Sequence, residues 1–538
     1  MLKYLSLFFF SLIFLTSFAQ NSGKISIKRS MNEARRYFFF SNYKSALPFV
    51  QQVYRTDTSN AYYNYLLGMC YYNLPLEKSQ AISYLVKASR YVDPDIKEWS
   101  IKQKKAPFKA WYYMGKSYQS AYKFDKAIES YKKYNELSFF SDKVEVEQLI
   151  KSCESAKVLV KDSIEITIEN MGRIINSEYD EHTPVISGDE KTLIFTSRRK
   201  GSTGNLLADN GSFFEDIYIS TNENGKWTSP VSISPNVNTP GHEASISLSF
   251  SGNELYIYKD DFGIGNIYVS NKVGDEWQAP VKLGSNINTT SNETHATISP
   301  DGQTLIFTSD RAGGLGGKDL YYCNRLPNGD WGVALNMGSS INTSFDEEGP
   351  FFHPDGYTLF FSSQGHNSMG GFDLFYTELK EDGTWSEPAN FGYPINSPED
   401  ELFYVISADG KRAYFSSIRD DSYGGKDLYI LNLLSVPEKS STVLKGIIKI
   451  SGSEGIPSDL MISVKDLTNN KVVGKYKPNK ETGVYTIILK QGRNYEFSCE
   501  TEHCKFIPEI ITVPEKSSFY QINKPLELNP LGMIEKSE

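Results

Sequence analysis

Between Asn176 and Ile430 one pattern recurs five times, and few folds accommodate a repeat of this length. Glu181, Glu243, Glu293, Glu347 and Glu401 each stand five residues after an asparagine (Asn176, Asn238, Asn288, Asn342, Asn396) and six before Ser187, Ser249, Ser299, His353 and Ser407. An apolar strand follows around Leu193, Leu255, Leu305, Leu359 and Ala413, then a D-L-Y-like strand at Asp216, Asn266, Asp319, Asp373 and Asp427. Four units add Trp227, Trp277, Trp331 and Trp385, in steps of 50, 54 and 54 residues. Each step holds four short strands and their turns, the content of one β-propeller blade.

Turn chemistry supports this division. Ser299-Pro300-Asp301-Gly302, His353-Pro354-Asp355-Gly356 and Ala408-Asp409-Gly410 supply the φ values that tight hairpins need. Glycine-rich loops (Gly313 to Gly317, Gly370-Gly371, Gly424-Gly425) precede the third strands, and an outer strand carries the tryptophan. The fifth unit stops near Ile430 without a tryptophan strand. Asn170-Met171-Gly172-Arg173-Ile174-Ile175-Asn176 parallels Asn336-Met337-Gly338-Ser339-Ser340-Ile341-Asn342, so residues 163–174 are expected to supply the missing strand. Pairing first with last removes two open sheet edges. The reading is five blades over 163–435, or six should Leu431 to Ser441 contribute more strand.

Ahead of this ring, residues 24–161 carry a repeat of helical period. Trp111, Met114, Gly115 and Tyr118, then Ala127 and Tyr131, match the W-x2-L-G-x2-Y then A-x3-F spacing of a tetratricopeptide repeat. Leu67, Gly68 and Tyr71 with Ala81, Leu85 and Ala88 make a second copy, and Ala34, Tyr37, Ala46, Val50 and Val53 a weaker first one. Three helix pairs and a closing helix over Ser141 to Val160 are expected. After Thr442, alternating strands such as Leu444 to Lys449 and Thr482 to Ile487 predict a small β-sandwich over 442–530, followed by a tail at 531–538.

Residues 1–19 have the form of a secretory signal peptide: Lys3, an apolar core from Leu5 to Phe14, and Ser17-Phe18-Ala19 before the cut. No later segment approaches transmembrane length, so a soluble periplasmic protein is expected, with an association to the outer membrane left open. From Gln20 to Asp162, 24 Lys and Arg face 14 Asp and Glu, giving +10. With Lys3 set aside, a total charge of −9 leaves −20 on residues 163–538. An acidic repeat region behind an export signal excludes nucleic acid as a partner. Five cysteines do not form a disulfide framework, although Cys499 and Cys504 are close enough in sequence to pair.

The order of signal peptide, tetratricopeptide repeats, blades with G-G-x-D-L-Y motifs (Gly316 to Tyr321, Gly370 to Phe375, Gly424 to Tyr429) and a T-G-x-Y sandwich (Thr482 to Tyr485) resembles a known architecture. It is similar to the PorE-like periplasmic envelope proteins of the type IX secretion and gliding machinery, with TolB-like PD40 (WD40-like) propeller repeats and a carboxypeptidase regulatory-like domain. In that family an OmpA-like domain normally follows the sandwich, whereas this sequence ends at Glu538. The resemblance implies a role in an outer-membrane or type IX secretion complex beside a PorP-like membrane protein.

No H-E-x-x-H, G-x-S-x-G or P-loop occurs, and no enzyme, cofactor or metal site is expected. His182, His242 and His295 cluster near the repeat glutamates without fixed spacing and read as surface residues. The recurrent Asp reads as a turn cap and the recurrent Glu as a contact between blades. Because strands within a blade alternate in direction, the Asn-to-Glu entry loops and the loops after the second strands open on one face. Arg199, Arg311 and Arg419 occupy equivalent places there, so these three with Glu181, Glu243, Glu293, Glu347 and Glu401 are the candidate binding residues, either a ligand mouth or a set of ion pairs. The leading expectation is a non-enzymatic scaffold; the alternatives are a sensor of glycans or peptidoglycan fragments and, less favoured, a hydrolase.

Overall fold

The computed structural model describes residues 26–530 except 138–139, 188–189, 250–251, 381, 408–409, 434–440, 451–455, 458, 479–482, 503 and 516–519. The signal-peptide segment 1–19, the tail 531–538 and most of the stretch on which a sixth blade would depend therefore lie outside the described residues. The chain forms two compact units, Met1–Val146 with Asp209–Gly211, and Glu147–Ala208 with Ser212–Glu538.

The first unit contains α1 (Ile27–Phe39), α2 (Tyr43–Tyr54), α3 (Ala61–Tyr72), α4 (Ala81–Ala88), α5 (Lys109–Ser120) and α6 (Phe124–Leu137), and α7 (Phe140–Lys161) begins in it. Ser26, Asn42 and Asn60 cap the first three helices by accepting from the amides of Arg29, Ser45, and Tyr62 with Tyr63. Helices pack in consecutive pairs, α1 on α2, α3 on α4 and α5 on α6. Gly68 faces Leu85 in the second pair and Gly115 faces Tyr131 in the third; a Cβ at either glycine would lie 2.6 Å from that side chain. The absent side chains let each pair close, and Tyr131, fully buried, donates to Gln119 Oε1 at 2.7 Å.

In the second unit, five antiparallel sheets succeed one another. Their first strands are Glu181–Ile186, Glu243–Leu248, Glu293–Ile298, Glu347–Phe352 and Leu402–Ile406. Each first strand packs on the next and the fifth returns to the first, giving a closed, propeller-like ring. Second strands such as Thr304–Ser309 and third strands such as Asp319–Asn324 continue each sheet outward. The fifth sheet is completed by Thr167–Asn170, which pairs antiparallel with Asp427–Asn432 from Thr167 opposite Asn432 to Asn170 opposite Tyr429. The tryptophans are not uniformly on outer strands. Trp227 and Trp277 are, whereas Trp331 and Trp385 make single bridges to Arg325 and Leu379 ahead of the short strands Leu335–Asn336 and Ala389–Asn390.

The last segment forms two sheets around Leu444, Ile448, Ile462, Val464, Phe497, Leu526 and Leu528. Ser441–Ile450 pairs antiparallel with Val484–Lys490 and parallel with Tyr520–Asn523 and Leu526–Pro530. Cys499 lies opposite Ile462 in one sheet and Cys504 opposite Pro530 in the other, and both are free thiols. This segment meets the turn side of the ring, with Lys490 Nζ 4.3 Å from the Tyr357 ring centre and the backbone at Gly474 against Asp301. Among the described residues no helix is long and apolar enough to cross a membrane.

Gly115→Leu is expected to destabilise the helical unit by about 1–3 kcal/mol, because the new side chain must displace Tyr131 from a filled core. Thermal unfolding followed by helical circular dichroism checks this, and an unchanged melt would contradict it.

Candidate functional site

The repeat motif builds a clasp between successive sheets. Asn342 Oδ1 accepts from the Leu320 amide at 2.8 Å while its Nδ2 donates to the Leu320 carbonyl at 2.9 Å. Asn238, Asn288 and Asn396 hold Ile217, Ile267 and Leu374 in the same way, and Asn176 closes the ring on Leu428. A primary amide suits this task because one group both donates and accepts. Asn170 substitutes atom for atom for Asn336. Each donates through Nδ2 to the repeat Asp (Asp427 or Asp319) at 2.7 Å and accepts from a glycine amide (Gly172 or Gly338) at 2.8 Å.

The five glutamates lie at 0% exposure. Glu293 accepts from the Thr289 amide and hydroxyl, both at 2.9 Å, from Ser309 Oγ at 2.8 Å and from Arg311 Nη2 at 3.1 Å. Glu181 repeats this with Ser177, Ser197 and Arg199, and Glu401 with Ser397 and Ser417, Arg419 standing 3.8 Å away. Glu243 uses Thr239 and Lys259 instead. Arg199 and Arg311 also donate to the carbonyls of Ile175 and Ile287, and Arg419 to that of Ile395; all three lie over aromatic rings of their own sheets. The eight candidate residues, read as a ligand mouth or a set of ion pairs, tie each entry loop to its sheet.

Among the described residues, Glu347 is the copy with neither Arg nor Lys against it. His366 takes the place of the arginine and contacts the Ile341 carbonyl at 2.9 Å, leaving Glu347 only the Thr343 amide and the hydroxyls of Thr343 and Ser363. Burial pushes the Glu347 carboxyl up to about 7 despite these bonds. The repeated aspartates are turn ligands. Asp319 accepts from the amides of Leu315 and Gly316, and Asp373 from those of Met369 and Gly370.

A different cluster gathers where the first strands begin. His182 Nε2 lies 3.3 Å from Glu215 Oε1 and His242 Nδ1 3.4 Å from Glu215 Oε2, and Arg198 donates to Glu215 Oε1 through Nε and Nη2 at 3.1 and 2.6 Å. His295 Nδ1 lies 3.5 Å from Glu348 Oε2, whose other oxygen pairs with Lys318. The Phe403 ring centre is 4.7 Å from that of His295 and 6.1 Å from that of His182, so all five sheets contribute. Burial would raise the Glu215 carboxyl, but hydrogen bonds from His182 and His242 and the nearby charges hold it well below the usual carboxylate range. Burial pushes the His295 imidazole down to about 4.

Backbone strain marks the same level. Thr183 and Phe403 have φ of +47° and +62°, a conformation that costs about 1–3 kcal/mol each. The strand register also shifts there in every first strand, the mark of a β-bulge that re-aims side chains. The histidines read from sequence as unconnected surface residues are thus drawn together. Their signal was proximity to the repeat glutamate, at +1, −1 and +2, rather than a common offset. Among the described residues no group of three or more His, Cys, Asp or Glu is placed to hold a metal ion.

Asn342→Ala would leave the buried amide of Leu320 without its partner and the Leu320 carbonyl with the Met337 amide alone, an expected loss of about 1–3 kcal/mol measurable by urea unfolding. A second prediction concerns pH. With the folded pKa of Glu347 raised from 4.5 to about 7, the native state keeps a proton that the unfolded chain has released, so stability falls as pH rises across that interval. Glu347→Gln removes this titration and should flatten the decline by up to about 1.4 kcal/mol per pH unit. Equal slopes for the two proteins between pH 5 and 7 would contradict it.

No protein-family model and no curated protein matches the chain. Among solved structures it is similar to TolB from Acinetobacter baumannii, with TM-score 0.29 and 16% identity over 48% of this chain and 56% of TolB. It is also similar to the PQQ-bound aldose sugar dehydrogenase from Streptomyces coelicolor (0.27 and 10%, over 50% and 99% of the two chains). A third is the α-L-arabinofuranosidase from Lactobacillus brevis (0.33 and 12%, over 48% and 91%). The chain spans just over half the length of the TolB chain it matches.

Proposed function

We propose that this protein is a non-enzymatic periplasmic scaffold, with a tetratricopeptide module that binds a protein and a five-bladed TolB-like propeller that serves as a rigid platform. The observation that carries this reading is the use made of the repeat. Five asparagines and five glutamates, the residues most open to a chemical role, are spent on joining one sheet to the next or tying a loop to its own sheet. Five equivalent ties stiffen a ring; they do not create the asymmetry that a reaction needs. The helix pairs, closed at Gly68 and Gly115, suit a stacked solenoid whose concave surface takes a peptide or helix. Export by residues 1–19 and placement beside a PorP-like membrane protein in an envelope complex follow from the architectural resemblance.

The test is co-purification, in detergent, with a PorP-like membrane protein. The full chain should retain the partner, and a chain lacking 24–161 should lose it by at least about tenfold in affinity. Undiminished capture by the shortened chain would refute the assignment of binding to the helices.

A further inference from the structure

Every residue of α3 from Ala61 to Tyr71 is buried. A helix in a stacked row normally buries one stripe and leaves its groove side to solvent, and α1 and α5 keep exposed positions such as Lys28, Arg35 and Lys109. What covers α3 is the chain between the second and third helix pairs. Its ends are drawn into a neck, where the Asp93 amide donates to the Ala106 carbonyl and the Ala106 amide to the Tyr91 carbonyl, both at 2.9 Å. On the return side, the carbonyls of Gln103 and Lys104 accept from Asn60 Nδ2 and the Ala61 amide at 3.0 Å, which anchors that side to the start of α3. Residues 94–102 are attached more lightly. The Trp99 amide donates to Tyr62 Oη at 2.7 Å, Tyr63 Oη donates to the Ile101 carbonyl at 3.1 Å, and the Trp99 ring stands edge-on to Phe38 of α1 at 5.0 Å between ring centres. Pro94, Asp95, Lys97, Glu98, Ile101 and Lys102 are exposed.

We propose that residues 94–102 are a strap occupying the groove over α3 as a bound peptide would, and that the partner of the helical unit is an extended segment whose aromatic side chain takes the seat of Trp99 against Phe38. The inference rests on the reading of these helices as a protein-binding module. An extended chain held by its backbone groups and one anchoring side chain is the form in which grooves take peptides, and the strap has that form with the Tyr62 and Tyr63 hydroxyls as its polar contacts. Trp99 has φ of +62°, a conformation that costs about 1–3 kcal/mol and is relieved when the strap lifts. The neck and the anchor at Gln103 and Lys104 lie outside the lifting residues, so the groove opens without unwinding a helix. A strap tied at both ends competes at high effective concentration, and a partner's apparent affinity is reduced by the fraction of molecules in which the seat is taken.

Isothermal titration of the full chain with a synthetic peptide of residues 92–106 tests the occupied seat. Trp99→Ala empties it, so this variant should bind the peptide at least about tenfold more tightly than the unaltered chain, and a peptide with alanine in place of its tryptophan should lose that gain. Equal affinity of the two chains, or of the two peptides for the variant, would overturn the proposal. Capture of a PorP-like membrane protein in detergent tests release: Trp99→Ala should hold it at least about tenfold more tightly than the unaltered chain, and equal capture by both would also overturn the proposal. Failure of either chain to capture it, with the peptide still distinguishing them, would refute the PorP-like partner and support the strap. Should the variant unfold, hydrogen exchange in the unaltered chain gives the second measurement. The Trp99 amide should exchange at least about tenfold faster than those of Leu66 and Leu67 in α3, because the strap opens locally; equal exchange would tie its opening to unfolding of the helices and overturn the proposal.

Discussion

The interaction on which the ring depends is the grip of one primary amide on the N–H and C=O of one residue in the preceding sheet. Sheets that pack face to face slide easily, because apolar contact is non-directional. The two bonds from Asn342 to Leu320 remove that freedom, since they are satisfied only at one register. The buried glutamate adds a second constraint by fastening the entry loop to the second strand of its own sheet, as Glu293 does through Thr289 and Ser309. Packing between sheets, around residues such as Phe307 and Phe361, can then be tight without having to specify position by itself.

Copies of the motif differ in how they hold the charge of that glutamate, and the differences are informative. Arg311 lies against Glu293 and its guanidinium rests on Phe307 and Tyr321, so a buried ion is offset by a cation that is itself shielded. Lys259 serves Glu243 by another route. Among the described residues hydroxyl and amide donors serve Glu347, and burial raises its carboxyl to about 7 despite them. The same sequence position thus meets different charge partners in different sheets, while its hydrogen-bonding role stays constant.

Much of this could be read from the sequence because the repeat recurs with fixed offsets. The equivalence of Asn170-Met171-Gly172 to Asn336-Met337-Gly338 was visible as text and reappears as equal hydrogen bonds. The helix pairs were legible for the related reason that Gly68 and Gly115 stand where a close approach needs no side chain. What was not legible is the cluster of histidines and carboxylates. His182, His242 and His295 occupy different offsets in their units, and a test for common spacing discards them. A ring brings inequivalent positions to one axis, so residues converge there without periodicity. The burial of the glutamates was hidden as well, because an Asn-to-Glu segment has the same composition whether its carboxylate faces solvent or the serine of the second strand.

Closure of the fifth sheet by Thr167–Asn170 has a consequence for how the molecule is made. The bonds of Asn176 to Leu428 join positions 252 residues apart, so the ring cannot be sealed until nearly all of it has been synthesised. Contacts of such high sequence separation form slowly, since the entropy of a long loop must be lost before they contribute. Until then the strand Asp427–Asn432 and the segment before Asn176 each present an unsatisfied edge, the kind of surface on which chains associate wrongly. The interval between synthesis of residue 170 and arrival of residue 432 would be the chain's most vulnerable, and chaperone contact would matter most there.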